Sequence, residues 1–108
     1  MIEVREYLDA KGGSPFADWF AYLNPKAAAK VATALTRLAA GNFSNVKGVG
    51  SGVFEYRIDF GPGYRVYFGK DGERLVILLG GGSKKRQQAD IATAQALWQE
   101  YKERKREE

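Results

Sequence analysis

Between Val53 and Leu79 the chain carries three short apolar-rich runs separated by turn signals, and this stretch limits the fold more than any other. The runs are VFEYRIDF, YRVYF and RLVILL. Gly61-Pro62-Gly63 separates the first two, and Asp71-Gly72, a strong hairpin signal, precedes the third. Runs this short, rich in aromatic and β-branched residues and closed by tight turns, predict consecutive antiparallel strands. Strand alternation then sorts the residues. Phe54, Tyr56, Ile58, Phe60, Tyr64, Val66 and Phe68 share one face, the expected core. Glu55, Arg57, Asp59, Arg65 and Tyr67 share the other. A three-residue turn pairs Phe60 with Tyr64, so Arg57 opposes Tyr67 and Asp59 opposes Arg65. Arg57 and Arg65 become diagonal neighbours, about 7–8 Å apart. A two-residue turn at Asp71-Gly72 pairs Lys70 with Glu73. Leu75, Ile77 and Leu79 then join the core, while Val76 and Leu78 fall beside the arginines.

Helical signals flank the strands. Ile2 and Val4 alternate with Glu3 and Arg5 in a first strand. Ser14-Pro15 reads as an N-cap followed by proline at the first helical position, and Asn24-Pro25 repeats the signal. Phe16, Trp19, Phe20 and Leu23 give the first helix one apolar face; Val31, Leu35 and Leu38 do so in the second, which Gly41 stops. The two predict a helical hairpin. The stretch NFSNVKGVGSG reads as a loop. From about Gln87 to Arg104, Ile91, Ala94, Trp98 and Tyr101 recur near helical spacing. The expected order is βααβββα: an α+β domain over residues 1–104, with a small, mostly antiparallel sheet and a charged tail at 105–108.

Two arginines on one sheet face either pair with Asp59 and Glu55 across the strands or hold an anion. The balance of charge suits an anionic partner: the 108 residues carry a formal net charge of +4. GGGSKKRQQ follows the last strand directly and brings Lys84, Lys85 and Arg86 to the edge of the same sheet. It lacks the P-loop spacing, so nucleotide binding is not expected. There is no cysteine and no histidine. Disulfides, thiolate chemistry, Cys-ligated zinc and a histidine base are therefore excluded within this chain. No apolar run is long enough to span a bilayer, and no membrane partner is expected. The lack of cysteine fits a cytoplasmic protein.

The helical pair, then GVFEYRIDFGPGYRVYF, then an apolar strand, then GGGSKKRQQADIATA, resembles the RelE/ParE superfamily of toxin–antitoxin toxins. It looks most like the HigB-like addiction module killer protein branch. The matching pieces are Tyr56-Arg57, Gly63 through Phe68, and Lys84 through Ile91. The resemblance implies a RelE-like fold and a metal-independent endoribonuclease, without a cofactor, that cuts mRNA in the ribosomal A site. It implies a cognate antitoxin, usually a small helix-turn-helix protein, through which the complex binds operator DNA. Arg57 and Arg65 would bind the scissile phosphate, with Lys84 and Tyr67 completing the catalytic set. Lys85, Arg86 and Lys47 would hold RNA. The general base is open among Lys84, Asp59 and Glu55, and Tyr101 is an alternative to Tyr67. The same fold also serves ParE-like toxins that bind DNA gyrase without catalysis, and non-toxic modules that only bind an antitoxin.

Overall fold

The computed structural model describes residues 1–108 as an α+β domain. Strand β1 spans Glu3–Glu6, helix α1 Pro15–Ala21, helix α2 Pro25–Ala39, and strands β2 to β5 span Val46–Gly48, Val53–Ile58, Tyr64–Lys70 and Leu75–Ser83. A single 3-10 turn, Lys84–Arg86, leads into helix α3, Gln87–Glu107. The sheet order is β1-β5-β4-β3-β2, with β1 parallel to β5 and every other neighbour antiparallel. This mixed five-stranded sheet with three helices is compatible with a RelE-like fold. The expected loop before the central strands contributes the short edge strand β2.

Both proline-led starts form as read. Ser14 accepts from the Ala17 N–H at 3.0 Å, and Asn24 from the Ala27 N–H at 2.9 Å. Each side chain satisfies a donor that the first helical turn leaves unpaired. Asn24→Ala is expected to cost about 1 kcal/mol and lower the thermal midpoint by roughly 4–8 °C, measured by calorimetry.

The helices divide the sheet between two cores. Helices α1 and α2 cover one face, where Phe16, Val31 and Leu38 pack on Tyr56, Ile58, Val66 and Phe68. They do so on separate strands, α1 over β5 and α2 over β1 and β3. Helix α3 covers the opposite face, where Trp98 and Ala94 pack on Val53, Tyr67, Ile77 and Leu79.

The register departs from expectation at both turns. The outermost β3–β4 pair is Ile58 with Tyr64, and Arg57 stands directly opposite Arg65. The connection is five residues, Asp59 to Gly63, because it closes on itself: the Gly63 N–H donates to the Phe60 carbonyl at 3.0 Å, and Pro62 has no N–H to give the ladder. This shift of two leaves the faces unchanged but moves Asp59 out of the strand. At the next turn the Asp71 N–H donates to the Leu75 carbonyl, and Lys70 pairs with Val76 rather than Glu73. That odd shift inverts the faces of β5. Val76 and Leu78 join the α1–α2 core, and Ile77 and Leu79 lie under α3 with Tyr67. A bulge at Leu79 and Gly80, opposite Tyr67, then resets the strand.

Candidate anion site at the sheet edge

On the α3 face the cross-strand partners form successive rows. The first is Val53, Gly69 and Ile77; the second is Lys47, Glu55, Tyr67 and Gly80; the third is Arg57, Arg65 and Gly82. Helix α3 lies over the first two and over the Gly82 end of the third. Its approach depends on glycine: a Cβ on Gly69 would stand 2.4 Å from the Trp98 ring, and one on Gly82 would stand 2.0 Å from an Asp90 carboxylate oxygen. The helix begins only at Gln87, so the arginines of the third row reach past its first turn to an open cleft.

That cleft has a volume of ≈ 390 Å³ and is lined by Lys47, Arg57, Arg65 and Lys84, with Ser44, Asn45 and Asp59 on its wall. Several backbone bonds build it. The Arg57 N–H donates to the Asn45 carbonyl at 3.0 Å, drawing the segment before β2 alongside. The Lys84 N–H donates to the Gly63 carbonyl at 2.8 Å, tying the end of β5 to the β3–β4 turn. An Arg65 guanidinium nitrogen donates to that same carbonyl at 3.1 Å. The two lone pairs of the Gly63 carbonyl oxygen serve both donors, and the turn there needs glycine because φ is +79°, a conformation that other residues adopt only under strain.

The two arginines differ in setting. Arg57 is exposed and makes no ion pair. Arg65 is buried, its side chain 8% exposed, with its Nε 3.7 Å from the Glu55 carboxylate. Glu55 is itself fully buried and accepts from the Gln87 side-chain amide at 2.8 Å. The ion pairing weighed from sequence is thus half realised: Glu55 engages Arg65, and Asp59 engages neither arginine.

Tyr67 does not reach the cleft. It is 1% exposed and lines a separate pocket of ≈ 100 Å³ beneath α3, with Asp90 and Ala94. Burial first, then the negative charge of Glu55 and Asp90, pushes its phenol well above the ordinary tyrosine value. Asp90 is raised as well, by burial. Lys85 and Arg86 are exposed on the 3-10 turn and do not line the cleft. Tyr101 sits elsewhere along α3, stacked on Trp98 with ring centroids 5.1 Å apart, its hydroxyl donating to Asp71 at 2.7 Å. Burial and that hydrogen bond push its phenol up to about 12. The cleft that Tyr101 lines shares no residue with the arginine cleft.

The structure therefore gathers Arg57, Arg65, Lys84 and Lys47, and sets Tyr67, Lys85 and Arg86 apart. Sequence reasoning placed Glu55 on the arginine face but not its complete burial, and it did not find Gln87. The signal for Glu55 was its place between Phe54 and Tyr56 in a strand covered on both sides.

Electrostatically, the cleft is a row of cations around an opening with one carboxylate, Asp59, on its wall. Opposed arginines repel each other unless an anion lies between them. The planar guanidinium fork suits a phosphate or carboxylate better than a point charge does.

Comparison with known proteins places these residues in a family. Residues 18–102 match the family described as Phage derived protein Gp49-like (DUF891). An uncharacterized protein of Haemophilus influenzae (strain ATCC 51907 / DSM 11121 / KW20 / Rd) is 48% identical over 86 residues, covering 79% of this chain and 87% of that protein. The family match includes Lys47, Arg57, Arg65 and Lys84. With its α+β architecture and its cationic cleft, the chain belongs to the phage-derived Gp49-like family, a RelE-like family associated with toxin–antitoxin modules.

Proposed function

We propose that this protein is the toxin of a type II module and cuts mRNA in the ribosomal A site. The observation that carries this reading is the convergence of Arg57, Arg65, Lys84 and Lys47 on one open cleft. A phosphodiester bound between the opposed arginines has its charge matched where a pentacoordinate transition state gains more. The adjacent ribose 2′-OH attacks phosphorus, the bond to the 5′-oxygen breaks, and the products are a 2′,3′-cyclic phosphate and a 5′-hydroxyl. Asp59, the carboxylate on the cleft wall, takes the 2′-OH proton, and the Lys84 ammonium protonates the leaving 5′-oxygen. Glu55, buried and bound to Gln87, is shielded from a substrate in the cleft and is not the base. This chemistry needs no metal. Tyr67 supports the sheet behind the arginines, and Lys85 and Arg86 contact RNA outside the cleft. A cognate antitoxin neutralises the protein in the cytoplasm by laying an acidic segment over the cleft.

Induced expression followed by primer extension on cellular mRNA tests the reading. The expected result is growth arrest with discrete cuts inside translated codons. Arrest without cuts removes the nuclease reading and makes DNA gyrase the next target to assay. Unimpeded growth leaves an antitoxin-binding module.

A further inference from the structure

The sheet edge holds a buried group that the proposed chemistry does not use. Glu55 is fully buried, and only one of its oxygens has a hydrogen-bond donor, the Gln87 amide at 2.8 Å. Its other oxygen, Oε1, makes no hydrogen bond, and the buried Tyr67 hydroxyl, also without one, lies beside the carboxylate. Arg65 Nε stands 3.7 Å from the bound oxygen and is likewise unpartnered. A buried carboxylate is costly unless a cation compensates it, and Arg65 is the cation that reaches it. The guanidinium is thus fixed by one hydrogen bond, Nη1 to the Gly63 carbonyl, and oriented by charge, with Nε facing the Glu55 carboxylate across 3.7 Å. That leaves the remaining edge of the fork turned to the cleft, which Arg65 also lines.

We infer that Glu55 is a positioning residue that fixes the Arg65 guanidinium at the cleft floor, and that Gln87, from the first residue of α3, fixes Glu55 in turn. The inference rests on the cleft being a phosphate site and assigns how that site is kept in order. It makes α3 part of the site: the helix contributes no side chain to the cleft lining, but its first residue sets the arginine that does.

A positioning role and a simple charge effect predict opposite signs. Removing a negative charge beside an anion site strengthens anion binding if charge alone matters. Freeing Arg65 weakens it. The probe is a 2′-O-methyl RNA oligonucleotide, which binds without being cut, titrated against the whole chain. Glu55→Gln is expected to weaken binding roughly tenfold, and Gln87→Ala to weaken it less, in the same direction. In a cycle with Arg65→Gln, the double variant Glu55→Gln/Arg65→Gln binds no worse than Arg65→Gln alone. Gln95→Ala, which frees α3 from the Val49 carbonyl but touches neither Glu55 nor Arg65, leaves binding unchanged. A second readout needs no RNA: the Arg65 Nε–H proton exchanges slowly by NMR in the wild type and fast in Glu55→Gln. Where Glu55→Gln does not fold, Gln87→Ala carries both readouts.

Tighter or unchanged binding with unchanged exchange of the Arg65 Nε–H overturns the inference, as do losses that simply add in the cycle. Arg57→Ala in the same titration separates the two levels. If Arg57→Ala weakens binding and Glu55→Gln does not, only the positioning role falls. If Arg57→Ala has no effect, the phosphate site falls and this inference falls with it.

Discussion

Arg57→Ala folds like the wild type and loses about 10²- to 10³-fold of its cleavage rate, the usual cost of removing one donor from a transition-state charge site. The expectation follows from its setting. Arg57 is exposed and has no ion pair, so truncation strands no partner. Its backbone N–H still bonds to Asn45. Substitutions at such surface positions usually move stability by no more than about 0.5 kcal/mol. Arg65→Ala behaves differently. It removes the cation beside a fully buried carboxylate, and breaking a buried pair from one side costs roughly 3–5 kcal/mol. That is a large share of the stability of a domain this size. Growth arrest lost through Arg65→Ala therefore mixes lost chemistry with lost protein, whereas Arg57→Ala isolates the chemistry. Thermal midpoints and soluble yield, read beside primer extension, keep the two apart. If Arg57→Ala cuts mRNA at the wild-type rate, the opposed arginines are not the phosphate site.

The parts of the fold that rest on local chemistry were legible. Ser14-Pro15 and Asn24-Pro25 start helices because capping and proline act over a few residues. The faces of β3 and β4 came out right despite a register error, because that error was even and alternation has a period of two. The β4–β5 error was odd and inverted Val76, Ile77, Leu78 and Leu79. An all-apolar strand buried on both faces gives no alternation to correct such a slip. The parallel pairing of β1 with β5 was not legible either, since nothing local in IEVREYL names a partner more than seventy residues away. In the site, Arg57, Arg65 and Lys84 were reachable from strand position and the basic turn. The burial of Glu55 was not, because it depends on where α3 lands. That landing depends in turn on glycines 69 and 82, where a side chain would meet Trp98 and Asp90, and nothing local in the sequence marks them as contact points.

Trp98→Ala is expected to destabilise the protein by about 3–5 kcal/mol in urea unfolding, close to the cost of deleting a large buried aromatic elsewhere. Trp98 is 5% exposed and is the central side chain joining α3 to the sheet. It lies directly over Gly69, stacks on Tyr101 and places its indole nitrogen 2.8 Å from where a Gly52 Cβ would be. Gly69→Ala forces a methyl to within 2.4 Å of the ring, and with Tyr101 behind it the indole cannot retreat freely. Overpacking of this kind costs roughly 1–3 kcal/mol. The two changes are not independent. Gly69 has no positive φ, so its backbone makes no demand for glycine, and the ring alone excludes a side chain. Once the ring is gone, alanine fits the space and suits a strand better than glycine does. Gly69→Ala in the Trp98→Ala background is accordingly neutral or slightly stabilising, an interaction energy of opposite sign to the sum of the single effects. Equal losses in both backgrounds would mean that the strand, not the indole, requires the glycine. The cycle also reaches the cleft: because α3 carries both Trp98 and Gln87, displacing the helix at Gly69 should weaken RNA binding in parallel with Gln87→Ala.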